Sequence, residues 1–159
     1  MITRIDGGVT APKGFLASGL NAGIKNQTKK DMAMVFSSTP CNAAGVFTTN
    51  LVKAAPVKWD KEIVTNSPYA QAVVVNSGIA NACTGAEGYG YCAATAKKAA
   101  SVLNIPESAV LVASTGVIGQ QLPIDKIESG VESLSKVLGS TRNDASLAAE
   151  AIMTTDTKS

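Results

Sequence analysis

Apolar residues along this chain fall into short blocks, and the spacing within each block selects strand or helix. Ala72-Val73-Val74-Val75 is a continuous, largely β-branched run and predicts a strand buried on both faces. Ala109 to Ala113 predicts a second buried strand, broken by Ser114-Thr115-Gly116 and closed by a turn at Gly119. Earlier blocks predict more sheet. Gly14 to Gly19 reads as a short strand, Asn26 to Asp31 as a polar hairpin tip, and Met32–Phe36 and Ala44–Phe47 as strands around Thr39-Pro40-Cys41-Asn42. Pro56 to Trp59 extends the sheet at an edge, and Lys61 to Val64 forms one helical turn before Asn66-Ser67-Pro68.

The later blocks change period. Gly85 to Gly90 reads as a loop, followed by a helix from about Tyr91 to Leu103 with Ala93, Ala96, Ala100 and Leu103 on one face. Pro123 suits the first turn of another helix, with Asp125 near its positive end. Ile127, Val131, Leu134 and Leu138 form its apolar face and Gly139 stops it. A last helix runs from about Asp144 to Met153, packing Leu147, Ala151 and Ile152. Strands early and helices late predict an α/β fold, a layered mixed sheet packed with helices. Without repeats or a low-complexity linker, residues 1–159 read as a single domain.

Composition narrows the chemistry. Hydrophobic residues make up 45%, aromatics 4% and charged residues 16% of the 159 residues, so small side chains fill the interior. Ordinary domains carry roughly a quarter charged residues, and the shortfall points to a surface covered by another chain. A net charge of +2 with scattered lysines argues against nucleic acid. Cys41, Cys83 and Cys92 lack zinc-site or disulfide-framework spacing, which fits a reducing cytoplasm. Neither a signal-peptide pattern nor a membrane-spanning apolar run is present in this sequence. It contains no histidine, which excludes a Ser-His-Asp or Cys-His system within the chain.

Three segments rich in hydroxyls, amides and glycines end or follow apolar elements: Asn76–Gly85, Ser114–Gly119 and Thr154–Thr157. Such segments suit hydrogen bonding to a small polar substrate. The same residues also end strands and cap helices. A strand leading into Ser-Thr-Gly offers a hydroxyl and successive N–H donors, the equipment of an oxyanion hole.

The wording of these segments resembles the ornithine acetyltransferase family, also called glutamate N-acetyltransferase. Asn76-Ser77-Gly78-Ile79-Ala80-Asn81-Ala82-Cys83-Thr84-Gly85 resembles its Asn-rich signature. Ser114-Thr115-Gly116-Val117-Ile118-Gly119 resembles its oxyanion-hole motif, and Ala151-Ile152-Met153-Thr154-Thr155-Asp156-Thr157 its substrate-contacting segment. Gly7-Gly8-Val9-Thr10-Ala11-Pro12-Lys13-Gly14-Phe15 fits the family's N-terminus, so the resemblance spans nearly the whole chain.

The resemblance implies an N-terminal-nucleophile-type acyltransferase architecture, made as a precursor that cuts itself into an α and a β chain. The β chain's new N-terminal threonine is then the nucleophile, with its own amine as base. It takes acetyl from N-acetylornithine and passes it to glutamate by a ping-pong route, in arginine biosynthesis. By motif match, Thr115 and Gly116 supply the oxyanion hole and Thr154 contacts the amino-acid substrate. The implied partner is the β chain, in an α2β2 assembly. No cofactor or metal is implied, and acetyl-CoA is a second donor only in the family's bifunctional members.

In the family the chain continues past Thr-Thr-Asp-Thr to a substrate-binding lysine and the cleavage site. This sequence resembles the α chain only, so residues 1–159 alone are expected to lack transferase activity. Three other readings stand beside it: a self-processing N-terminal-nucleophile aminopeptidase or amidase, a thiol enzyme using Cys83, and a non-catalytic small-molecule-binding domain. A thiolate at Cys83 would need a nearby cation or helix N-terminus.

Overall fold

The computed structural model describes residues 2–3, 7–26, 28–67 and 69–156. Four strands lie side by side in chain order: β1 (Phe15–Leu20), β2 (Met32–Asn42), β3 (Tyr69–Ile79) and β4 (Val110–Val117). β1 pairs antiparallel with β2, and β2 with β3, while β3 and β4 run parallel, giving the expected mixed sheet. A parallel pair needs a crossover. Here the crossover carries helix α2 (Gly85–Leu103).

Helix α1 (Ala55–Asn66), α2 and α3 (Ile124–Lys136) cover one face of the sheet. Strand side chains alternate between faces. Met32, Met34, Ala72, Val74, Val110 and Val112 therefore point together into the main core, against Trp59, Ala96, Ala99, Val131 and Leu134. The alanines of α2 bring that helix close to the sheet without aromatic anchors. On the other face, Ala17 and Ala33 meet Ala148 and Ala151 of helix α4 (Arg142–Ile152). That helix packs over β1 and β2, leaving Val35 and Val75 only half-buried beside a cleft of about 310 Å³.

Several local expectations are corrected. Pro56–Trp59 is the first part of α1, and Lys61–Val64 lies within its 12 residues rather than forming a single turn. Ala55, Trp59 and Ile63 recur at i, i+4 and i+8, a helical period that the local Pro-Val-Lys-Trp run concealed. Residues 43–54 contain no strand, so Ala44–Phe47 pairs with nothing; Val46 is 99% exposed. β2 instead runs on through Thr39–Asn42 by a register shift between Phe36 and Cys41, which accommodates Pro40.

Gly85–Gly90 opens α2 rather than forming a loop. Gly88 is there for close packing, since a Cβ would collide with Thr84 Oγ1. β4 continues through Ser114-Thr115-Gly116 to Val117, because β3 supplies a pairing partner as far as Ile79. The buried face of α4 is Ala145, Ala148 and Ala151, while Ile152 is exposed. Thr157, the last residue of the Thr-Thr-Asp-Thr segment, lies outside the described residues, as does Pro68 of the Asn-Ser-Pro break.

Candidate functional site

Two polar segments become neighbours through the parallel register of β3 and β4. Asn76 stands opposite Ser114, Ser77 opposite Thr115, and Gly78 opposite Gly116. Asn76 and Ser114 face the main core, where Ser114 Oγ donates to Asn76 Oδ1 at 2.6 Å and Asn76 Nδ2 donates to the Ile79 carbonyl at 2.9 Å. Ser77 and Thr115 take the opposite parity and face the α4 side.

Gly78 and Gly116 have φ of 110° and 132°, and a Cβ on Gly116 would collide with the Gly78 backbone. Only glycine allows both that backbone geometry and that approach. β4 is an edge strand. Its even-numbered residues turn N–H and C=O outward: Asp60 Oδ1 accepts from the Val112 N–H at 2.9 Å, and Trp59 Nε1 donates to the Val110 carbonyl at 3.1 Å. Gly116 shares that parity and is exposed, so the end of the strand presents an outward N–H beside the half-buried Thr115 side chain. A hydroxyl and a backbone N–H on successive residues are donor types that stabilise a developing oxyanion.

The third polar segment arrives at the same corner from α4. Thr141 and Asp144 form a capping box that starts the helix at Arg142, two residues before the Asp144 expected as its start. At its other end Ser77 Oγ donates to the Ala151 carbonyl at 2.5 Å, joining the helix to the residue paired with Thr115. Three residues on, Thr154 is exposed, its N–H bonded to Asp156 Oδ2 at 3.0 Å. It lines a depression of about 160 Å³ with Lys25, Lys29, Lys30, Glu150, Met153 and Asp156.

Sequence reasoning missed Lys25 and Asp31, both in the β1–β2 hairpin. Asp31 is 0% exposed, and its carboxylate accepts from the N–H groups of Ala22, Ile24 and Lys25 at 2.6, 2.6 and 3.0 Å. Those bonds replace the water the anion loses. Asp31 thereby fixes the segment carrying Lys25, whose ammonium donates to the carbonyl of Met153 and, at 3.4 Å, of Lys30. Burial lowers the pKa of Lys25, and Asp31 acts against that. Nothing in the local sequence separates Lys25 from the solvated lysines around it.

The Asn-rich signature divides into structural parts. Asn81 is 1% exposed at φ 46°, with its Nδ2 donating to the Gly88 carbonyl at 2.9 Å and its Oδ1 accepting from Thr84 Oγ1 at 2.9 Å. Burial and the charge of Asp60 push the Cys92 thiol up to about 12, so it remains protonated. Cys83 is exposed in the turn before α2, at φ 58°. Among the described residues no group of three or more Cys, Asp or Glu could hold a metal ion, and no helix is long and apolar enough to cross a membrane.

Comparison with known proteins bears on this geometry. The model of the ArgJ family matches residues 16–159. An arginine biosynthesis bifunctional protein ArgJ from Thermotoga neapolitana is 53% identical over 148 residues, covering 92% of this chain and 36% of its own length. Its counterpart from Gloeobacter violaceus is 51% identical over 152 residues, 96% of this chain and 37% of its own. The chain therefore spans little more than a third of the length of these curated relatives. The crystal structure of ornithine acetyltransferase from Mycobacterium tuberculosis, complexed with ornithine, superposes with a TM-score of 0.91 at 45% identity, covering 95% of this chain and 81% of that one. The crystal structure of ArgJ from Bacillus halodurans gives 0.90 at 42% identity, covering 95% and 78%.

Proposed function

The chain belongs to the ArgJ family, and from that premise we propose that it is the α chain of an ornithine acetyltransferase. In this reading the enzyme moves acetyl from N-acetylornithine to glutamate in arginine biosynthesis. The nucleophile is the N-terminal threonine of a β chain cut from the same precursor. Its hydroxyl attacks the acetyl carbonyl, with its own amine taking the proton, and the carbonyl oxygen becomes an oxyanion. Thr115 Oγ1 and the Gly116 N–H stabilise that charge. Collapse releases ornithine and leaves acetyl on the threonine. Glutamate's amine then attacks the same carbonyl, so the same two donors serve both halves of the ping-pong cycle. Thr154 contacts the amino-acid part of each substrate.

The observation that carries this reading is the Gly78–Gly116 pairing, which ends β4 with an outward donor beside the Thr115 hydroxyl. The half-covered sheet face beside Val35 and Val75 supports a partner chain there, in an α2β2 assembly. Three free cysteines suit the cytoplasm. No cofactor enters the cycle, and acetyl-CoA is an alternative donor substrate.

Thr115→Ala in the full-length protein tests the assignment. Loss of one oxyanion donor costs about 2.7–4 kcal/mol, so kcat should fall on the order of 100- to 1,000-fold. Turnover within threefold of wild type would remove Thr115 from the role. Assays with and without glutamate distinguish the reaction class, because a hydrolase would release acetyl to water as fast as it transfers it.

A further inference from the structure

Lys25 touches all three of the polar segments that meet at this corner, directly or through one neighbour. Its stem lies over Gly78, where a Cβ would stand 2.9 Å from Lys25 Cγ and 3.4 Å from Ile24 Cγ2. Gly78 is in register with Gly116. Its ammonium donates to the carbonyl of Met153, the residue immediately before Thr154. The base of the lysine is equally fixed, since its own N–H and those of Ala22 and Ile24 are held by the fully buried Asp31. The Asp31 carbonyl in turn accepts from the Ser77 N–H at 2.8 Å, which ties the same loop to β3.

Two further bonds hold the end of α4 nearby, Ser77 Oγ to the Ala151 carbonyl at 2.5 Å and Lys30 Nζ to Glu150 Oε2 at 2.8 Å. Both lie upstream of Met153. Downstream, the Thr154 N–H donates within its own segment, to Asp156 Oδ2 at 3.0 Å. Among the described residues, the Lys25 ammonium is therefore the hydrogen bond from the remainder of the fold to the backbone at the point where the chain leaves the helix.

We propose that Lys25 is a positioning residue that sets where Thr154 stands relative to the Thr115–Gly116 corner. The proposal rests on Thr154 being a substrate contact. Lys25 does not touch substrate. It acts by holding the Met153 carbonyl while its stem packs over Gly78, the glycine in register with Gly116. A charge-assisted hydrogen bond to a backbone carbonyl is strong enough to choose one placement of an exposed segment over its alternatives.

The test uses the full-length protein and four variants. Lys25→Met keeps the stem over Gly78 and removes the ammonium. KM for N-acetylornithine and for glutamate should each rise about tenfold, with kcat within threefold, because binding geometry is lost while the oxyanion donors stay. Lys25→Arg should recover most of the loss. Thr154→Val should raise KM by itself, and the Lys25→Met/Thr154→Val double variant should be no worse than Thr154→Val alone, since both act through one contact. If Lys25→Met does not fold, Lys25→Gln takes its place in the same comparison. Unchanged KM in Lys25→Met overturns the proposal, as do losses that multiply in the double variant. A lowered melting temperature with unchanged KM marks Lys25 as structural support only and overturns it too. Unchanged KM in Thr154→Val strikes the substrate role of Thr154 itself, which is a separate failure visible in that single variant.

Discussion

Asp60 lies on α1, with Oδ1 accepting the Val112 N–H, and burial raises its pKa to about 6 from an ordinary value of 3.8. The sign of its effect on stability follows from proton counts. Between pH 4 and 6 the unfolded carboxyl has lost its proton while the folded one retains it, so stability falls as pH rises across that window and levels above it. The carboxyl is partly open to solvent, and screening reduces the effect to about 1–2 kcal/mol. Asp60→Asn keeps an acceptor for Val112 and removes the titration. Its unfolding free energy should be flatter from pH 4 to 6 and higher at pH 7, measured by urea titration. A slope equal to wild type would place the dependence on another group. At this scale the sequence marked Ser114 to Gly119 by their chemistry, but not Asp60, Lys25 or Asp31. An isolated charge carries no local sign of whether the fold will bury it.

Elements were legible where their period was long. Ile127, Val131 and Leu134 are buried on α3 as their spacing required, and the Val-rich run is the centre of β3. Short blocks misled, because Pro56–Trp59 satisfies a strand reading and a helix reading equally until Ile63 is counted. Gly116 shows the opposite problem, since a glycine that looked like a strand breaker sits inside β4. Its φ of 132° and its contact with Gly78 make a specific demand. Gly116→Ala should cost about 2 kcal/mol or more, combining backbone strain with a clash against main chain that cannot rotate away. Thermal unfolding of the full-length variant reads this directly, and an unchanged melt would mean the two strands do not approach as closely as described.

Over the whole molecule the two sheet faces are unequal. Three helices cover one, while on the other α4 lies mainly over β1 and part of β2, leaving Val35 and Val75 beside an apolar cleft. Leu51 is 97% exposed in the irregular segment before α1, and Val117 and Ile118 are exposed at and just beyond the end of β4. Apolar surface of this extent in one chain is suited to permanent coverage rather than to solvent. Residues 1–159 expressed alone should sediment as aggregates or stay partly unfolded, while the full-length protein should be soluble. A stable monomer of residues 1–159 would sink the obligate partner and favour a free-standing binding domain.

The sequence by itself determined the α/β class, the long helices, the place of the Val-rich strand and the lack of any histidine in residues 1–159, because each depends on residue type and local period. Burial of that strand on both faces was not met, since Val73 and Val75 are half-buried. The resemblance of three motifs added the family and the roles expected of Thr115, Gly116 and Thr154. Tertiary structure alone decided that Ser77 faces α4 while Asn76 faces the core, since a parallel register with period two assigns those faces. It also turned most of the Asn-rich signature into a turn network and drew an unremarked lysine to the carbonyl before Thr154. Those outcomes depend on contacts between residues as far apart as Lys25 and Met153. No local pattern encodes such a pair, because its energy exists only once the sheet has brought both ends together.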